Sequence, residues 1–268
     1  MRRSSSFATI LLLAAPLAAP GSTVAGQRLA YALPSPATAA YQLTDNTSMT
    51  ISGSPMGPME FTGGSTFNYA LTFAAGGDGV RVSAELSAFE AQMNSPMGPQ
   101  VLSQTLAGVA SGFEVLLAGR GLADIVTESR RADGELPILV DPHAVLFPTL
   151  PGGDAGTGDA WVDTVTVGVG EGGERVVVLT YTLEGEATHD GRPHLRIAVS
   201  GESRLTMAEQ GASMDLTGSE SGYYLWDTER GLMALAELSR SHEGRMTAPD
   251  GTSVRIEFTA TTRITMEN

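Results

Sequence analysis

Val254-Arg255-Ile256-Glu257-Phe258-Thr259-Ala260-Thr261-Thr262-Arg263-Ile264-Thr265-Met266 is the stretch that decides the fold. Val254, Ile256, Phe258, Ala260, Ile264 and Met266 share one parity with Thr262; the charged residues and the other threonines share the opposite one. Side chains alternate across a strand, so a period of two marks a strand with one dry and one wet face. At ~3.3 Å per residue the strand runs roughly 40 Å, well past the usual length. Long, half-wet antiparallel strands twist and curl, which points to a barrel or half-barrel.

The alternation recurs upstream between glycine-rich turns. Tyr41, Leu43, Met49 and Ile51 share a parity, as do Phe67, Tyr69, Leu71 and Phe73. Val80, Val82, Ala84 and Leu86 begin a third strand whose parity slips at Phe89, Ala91 and Met93, as a β-bulge would produce. In the second half the same signal links Val177, Leu179, Tyr181 and Leu183, then Leu195, Ile197 and Val199. Between the halves, prolines bracket Asp141 to Phe147, and Asp141-Pro142 reads as a helix cap with proline in the first turn. The expected architecture is mainly β: an up-and-down antiparallel meander of about eleven strands, curled into a half-open barrel, with one short helix. Five strands precede the Pro-rich segment 137–151 and six follow it. Without cysteine, and with so even a meander, an immunoglobulin-type sandwich fits less well.

Arg2, Arg3 and the apolar run from Phe7 to Ala19, broken at Pro20-Gly21, read as an export signal, with cleavage near Ala25 or Gly26. The expected organisation is a signal peptide over 1–26, a tether over 27–38 and one β-rich domain over 39–268. The run is shorter than the roughly 20 residues a membrane span needs, and no later stretch reaches that length. A soluble mature chain in the periplasm or medium follows as an expectation. The basic residues are all arginine, and the formal net charge of the whole chain is −14. Such acidity disfavours nucleic acid and anionic lipid headgroups as partners.

No catalytic constellation stands out. Ser54-Pro55-Met56-Gly57-Pro58 recurs as Ser95-Pro96-Met97-Gly98-Pro99, with two strands between the copies. Two reversals return the chain to one end of the sheet, so Met56, Met59, Met93 and Met97 should gather on one rim with Met49. Thioethers at Met56 and Met59 have the softness for Cu(I), but flexible methionine serves an apolar mouth, or the cover of an open core end, equally well. His189 and His194 flank one turn without a third ligand at zinc spacing. Gly218-Ser219-Glu220-Ser221-Gly222 departs from the nucleophile-elbow pattern and lies in a strand. No metal or cofactor is expected.

Leu146-Phe147-Pro148-Thr149-Leu150-Pro151 followed by Gly158-Asp159-Ala160-Trp161 resembles a junction in uncharacterised exported bacterial β-rich proteins, whose domain is of unknown function. The stretch from Gly222 to Gly231 is similar to a late turn in the same proteins. The resemblance implies a β-rich extracytoplasmic fold and carries over no catalytic residue. A curled sheet with one helix is also similar, in architecture alone, to periplasmic lipoprotein carriers. The leading expectation is an exported, non-enzymatic binding module that holds an apolar or lipid-like ligand on the concave face. Its ligand-binding residues would be Phe67, Tyr69, Phe73, Tyr181 and Phe258, with Met56, Met59, Met93 and Met97 at the rim. The alternative is a structural or protein-interaction component of the cell envelope with a filled core. An enzyme whose site is dispersed in sequence comes third.

Overall fold

The computed structural model describes residues 26–54, 57–96, 98–104, 112–129, 142–168, 173–209 and 211–267. The expected signal sequence, apart from Gly26, lies outside these residues, as do Met56 and Met97. The first half contributes β1 (Gln27–Leu29), β2 (Thr38–Ser52), β3 (Met59–Gly76), β4 (Gly79–Ser95), β5 (Gly98–Gln104), β6 (Gly112–Ala118) and β7 (Gly121–Ser129). After α1 (Pro142–Leu146) come β8 (Gly153–Ala155), β9 (Ala160–Gly168), β10 (Gly173–His189) and β11 (Arg192–Glu209). The chain then completes β12 (Ala212–Asp227), β13 (Leu232–Thr247) and β14 (Ser253–Glu267).

The main sheet is antiparallel, in the order β7-β6-β4-β3-β2-β14-β13-β12-β11-β10-β9, with β5 added beside β4. It is curled and open, with β7 and β9 at the two ends of the strand order. The meander is continuous in the second half, whereas in the first β5 and β6 both pair with β4; the halves join through β2 and β14, the first and last long strands. This pairing puts the free edges, β7 and β9, on either side of the Pro-rich segment. The bulge expected in β4 appears as a register shift between Asn68 and Tyr69 of its partner β3.

Residues 27–38, read from sequence as a tether, behave differently at their start. β1 pairs with β8, Leu29 is fully buried, and the Tyr31 hydroxyl donates to the Pro148 carbonyl at 2.8 Å. An apolar side chain at Leu29 and a ring at Tyr31 gain more from the core than from solvent, which draws this stretch inward. Together with residues 142–155 it forms a plug against one end of the curl. The Leu150 amide donates to Arg120 in the β6–β7 turn, and Trp161 Nε1 on β9 donates to Thr149 at 2.7 Å. One short segment therefore ties both free ends of the sheet together.

The main core lies against this plug. Tyr31 packs edge-on to Trp226 at 5.3 Å, and Phe113 packs edge-on to the His143 ring of α1 at 4.3 Å. Burial is tight here because the plug supplies a second layer to the sheet's inner face.

Candidate functional site

Following the register across the sheet divides its inner face into three zones. The first, at the plugged end, is the aromatic core. Phe67, Tyr69, Phe73 and Tyr181, expected to line a ligand site, are all buried in it. Their neighbours are the protein's own rings: Phe67 meets Phe89 at 4.9 Å, Tyr69 meets Phe113 at 5.9 Å and Tyr181 stacks on Trp161 at 5.7 Å. Burial also pushes the phenols of Tyr31, Tyr41, Tyr181 and Tyr224 above their ordinary ionisation range.

The second zone is a polar belt across the middle of the strands. Arg240 on β13 and Asp45 on β2 form an ion pair at 2.9 Å with side chains 7% and 6% exposed. Thr262 on β14 completes the group, donating to Asp45 at 2.6 Å. Arg175 on β10 reaches across β11 to pair with Glu220 on β12. His242 Nε2 and the Ser203 hydroxyl share a 2.6 Å hydrogen bond. Desolvation, then the nearby Arg175 guanidinium, holds His242 below the usual histidine pKa. Burial likewise lowers the Arg240 pKa, against the opposing pull of Asp45.

Glycines interleave with these charges on the same face. Gly201, Gly218 and Gly244 lie on successive strands, each two residues further along by register, so they form a diagonal. A Cβ at Gly218 would stand 2.1 Å from the Ser241 carbonyl and 2.6 Å from the His242 ring. Such close backbone approach is open only to glycine, and a diagonal of glycines lets a long sheet bend.

The third zone lies beyond the belt, at the end away from the plug. One register row runs Arg175, Leu205, Leu216, Gly244, Ile256, Ile51 and Met59. Phe258, Met49 and Phe61 continue the adjacent row from His242, and Met207, Met214, Met246 and Val254 form the next one outward. Leu216 and Ile256 are buried, whereas Met49, Ile51, Met59, Phe61, Leu205, Met207, Met214, Met246, Val254 and Phe258 are half-buried. The result is an apolar band six strands wide, about 24 Å at ordinary strand spacing.

The expected rim is therefore present in part. Met49, Met59 and Met93 share the inner face on neighbouring strands, with Met93 38% exposed. Phe258 belongs to this open zone rather than to the aromatic core. Sequence reading missed Met207, Met214 and Met246, which share the parity of their strands' apolar faces. It also missed the belt, although Arg240 and His242 sit on the same parity as Ala236, Leu238 and Met246. Charge on an apolar parity was the available signal.

A separate cleft of about 1050 Å3 lies on the opposite, outer face. Val176, Val178, Glu202, Arg204, Ser219 and Glu243 are among the residues lining it, so apolar and charged groups are mixed on its walls. His189 and His194 do approach across their hairpin, with ring centroids 5.6 Å apart. Among the described residues, no group of three or more histidines and carboxylates is placed to hold a metal ion.

No family model matches the chain, and no curated protein matches it. Among solved structures it is similar to lipovitellin, described for its lipid–protein interactions, at 10% identity and a TM-score of 0.46. That match covers 87% of this chain and 25% of lipovitellin, so the chain spans about a quarter of that protein's length. It is also similar to the β domain of the Bordetella autotransporter BrkA, at 11% identity and a TM-score of 0.26, covering 85% and 99% of the two chains. With TM-scores below 0.5, these are distant likenesses among β-rich folds.

Proposed function

We propose that the protein is an exported, non-enzymatic binding module that holds an apolar or lipid-like ligand on the inner face of its curled sheet, at the methionine-rich end. The observation that carries this reading is the half-buried band from Met59 and Phe61 to Leu205 and Met207. An apolar surface of that extent, unfilled by the plug, is the kind of surface that soluble proteins keep for a ligand or partner. Methionine suits it because an unbranched, polarisable side chain adapts to chains of different shape. Of the aromatic residues assigned to the ligand from sequence, Phe67, Tyr69, Phe73 and Tyr181 serve the core instead, and Phe258 lies on the band.

Native mass spectrometry of the full chain purified from its own cells tests the proposal. Co-purifying lipid, lost when Met49, Met214 and Phe258 are replaced by serine, is the expected result. A bare chain that also fails to bind added fatty acid, phospholipid or hydrocarbon overturns it. Amino-terminal sequencing of the exported form tests the export reading, with a start near residue 26 or 27 expected.

The filled core at the plugged end favours a second reading, a structural or protein-interaction component of the cell envelope. Loss of an envelope partner on mutation of the loops, with no ligand on the band, would favour that reading.

A further inference from the structure

Among the described residues, two nitrogens on the inner face lack a hydrogen-bond partner although both are buried: Nε of Arg175 and Nδ1 of His242. Each carries an unmet polar valence, which is unfavourable when withdrawn from water. They belong to one locality. Arg175 reaches β12 to grip Glu220, and the His242 ring leans over Gly218 of the same strand while bonding Ser203 on β11. Gly218 offers no side chain to separate them. His242, at 5% exposure, lies at the base of the apolar band; Arg175 stands one register row nearer its open end, with its side chain 12% exposed.

The donor geometry is specific. The Nε–H and Nη2–H of a guanidinium form one fork that matches a carboxyl group. Glu220 engages Nη2 and leaves Nε unused. Histidine Nδ1 can accept from a carboxylic acid or, once protonated, donate to a carboxylate. Carboxyl oxygens can therefore answer both nitrogens, whereas a hydrocarbon answers neither.

We infer that Arg175 and His242 anchor the carboxyl head of a single-chain amphiphile whose tail lies along the methionine band. This rests on the ligand-binding reading above and narrows it to one class, a fatty acid. The charges facing His242 are Arg175 from β10, Glu220 from β12 and Arg240 from its own strand. Glu220 and Asp45 already balance the two arginines, so an arriving carboxylate leaves the belt one negative charge in excess. A proton taken up by His242 restores the balance, and the acid therefore binds more tightly as pH falls from 8 to 6.

Isothermal titration calorimetry of the full chain with dodecanoic acid and with 1-dodecanol, at pH 8 and pH 6, separates head from tail. The acid is expected to bind at least tenfold more tightly than the alcohol at pH 6, with a smaller preference at pH 8. In the Arg175→Met/Glu220→Gln double variant, which leaves no belt carboxylate unpaired, the preference should vanish while alcohol binding persists. Equal wild-type affinities for acid and alcohol overturn the anchor and leave the apolar mouth standing. Retention of the acid preference in the double variant overturns the role of Arg175. Binding of neither probe overturns the mouth itself, and the anchor with it.

Discussion

The two ends of the sheet are made of the same long strands, yet they are finished differently. At one end Tyr31, α1 and Leu150 lie on the inner face, and Leu183, Ile197, Ile264 and Trp226 are buried to within a few per cent. At the other end the same strands carry Met214, Met246, Val254 and Phe258, and these are only half-buried. Strand alternation alone makes a dry face; it takes a second layer to bury it. The difference teaches that the plug, rather than the sheet, sets where this protein is rigidly packed. Between the two ends, the ion pairs and glycines of the belt interrupt the apolar face.

The sharpest way to break this contrast is at the packed end. Trp226→Ala should cost about 3–5 kcal/mol, read from urea unfolding, because the indole is buried between Tyr31 and the sheet. A loss below ~1 kcal/mol would show that the plug leaves the core loose. At the belt, Arg240→Met should cost about 3 kcal/mol by stranding Asp45 as a buried charge. The Arg240→Met/Asp45→Leu pair should recover most of that loss, since an ion pair exchanged for apolar bulk is often nearly neutral. Failure to recover would mean the pair also holds the bend.

The open end should respond less. Phe258→Ala is expected to cost about 1–2 kcal/mol, since only part of the ring leaves water, and Thr259→Ala well under ~1 kcal/mol. A loss at Phe258 equal to that at Trp226 would erase the distinction between the ends. The smallest effect concerns His242. Its folded-state pKa lies below the unfolded value, so the unfolded chain binds more protons as pH falls. The resulting stability is intact above about pH 6.5 and is lost progressively below it. Urea midpoints should therefore fall between pH 7.5 and pH 5.5 in the wild type, and fall less in His242→Asn.

Much of this is legible in the sequence. Met246, Ile256 and Ile264 fall on the inner face where parity puts them, and the short helix forms within the Asp141–Phe147 segment. The candidate site was legible only in part. Aromatic residues look alike whether they meet a ligand or each other, so Phe67, Tyr69, Phe73 and Tyr181 read as site residues when they are core. Glu220 sits inside Gly218-Ser219-Glu220-Ser221-Gly222, read from sequence only as a strand, and its partner Arg175 lies 45 residues away.

The sequence by itself determined the long strands and their faces, though not the short β1 and β8, because the period of two and the glycine-rich reversals act between near neighbours in the chain. Only the tertiary structure decided that β14 returns to β2, which frees β7 and β9 as edges and lets one segment tie both. It alone joined Thr262 to Asp45, 217 residues apart, and Arg240 to the same carboxylate. Pairings across such separations follow from how the whole sheet curls and buries its inner face, and no local pattern carries them.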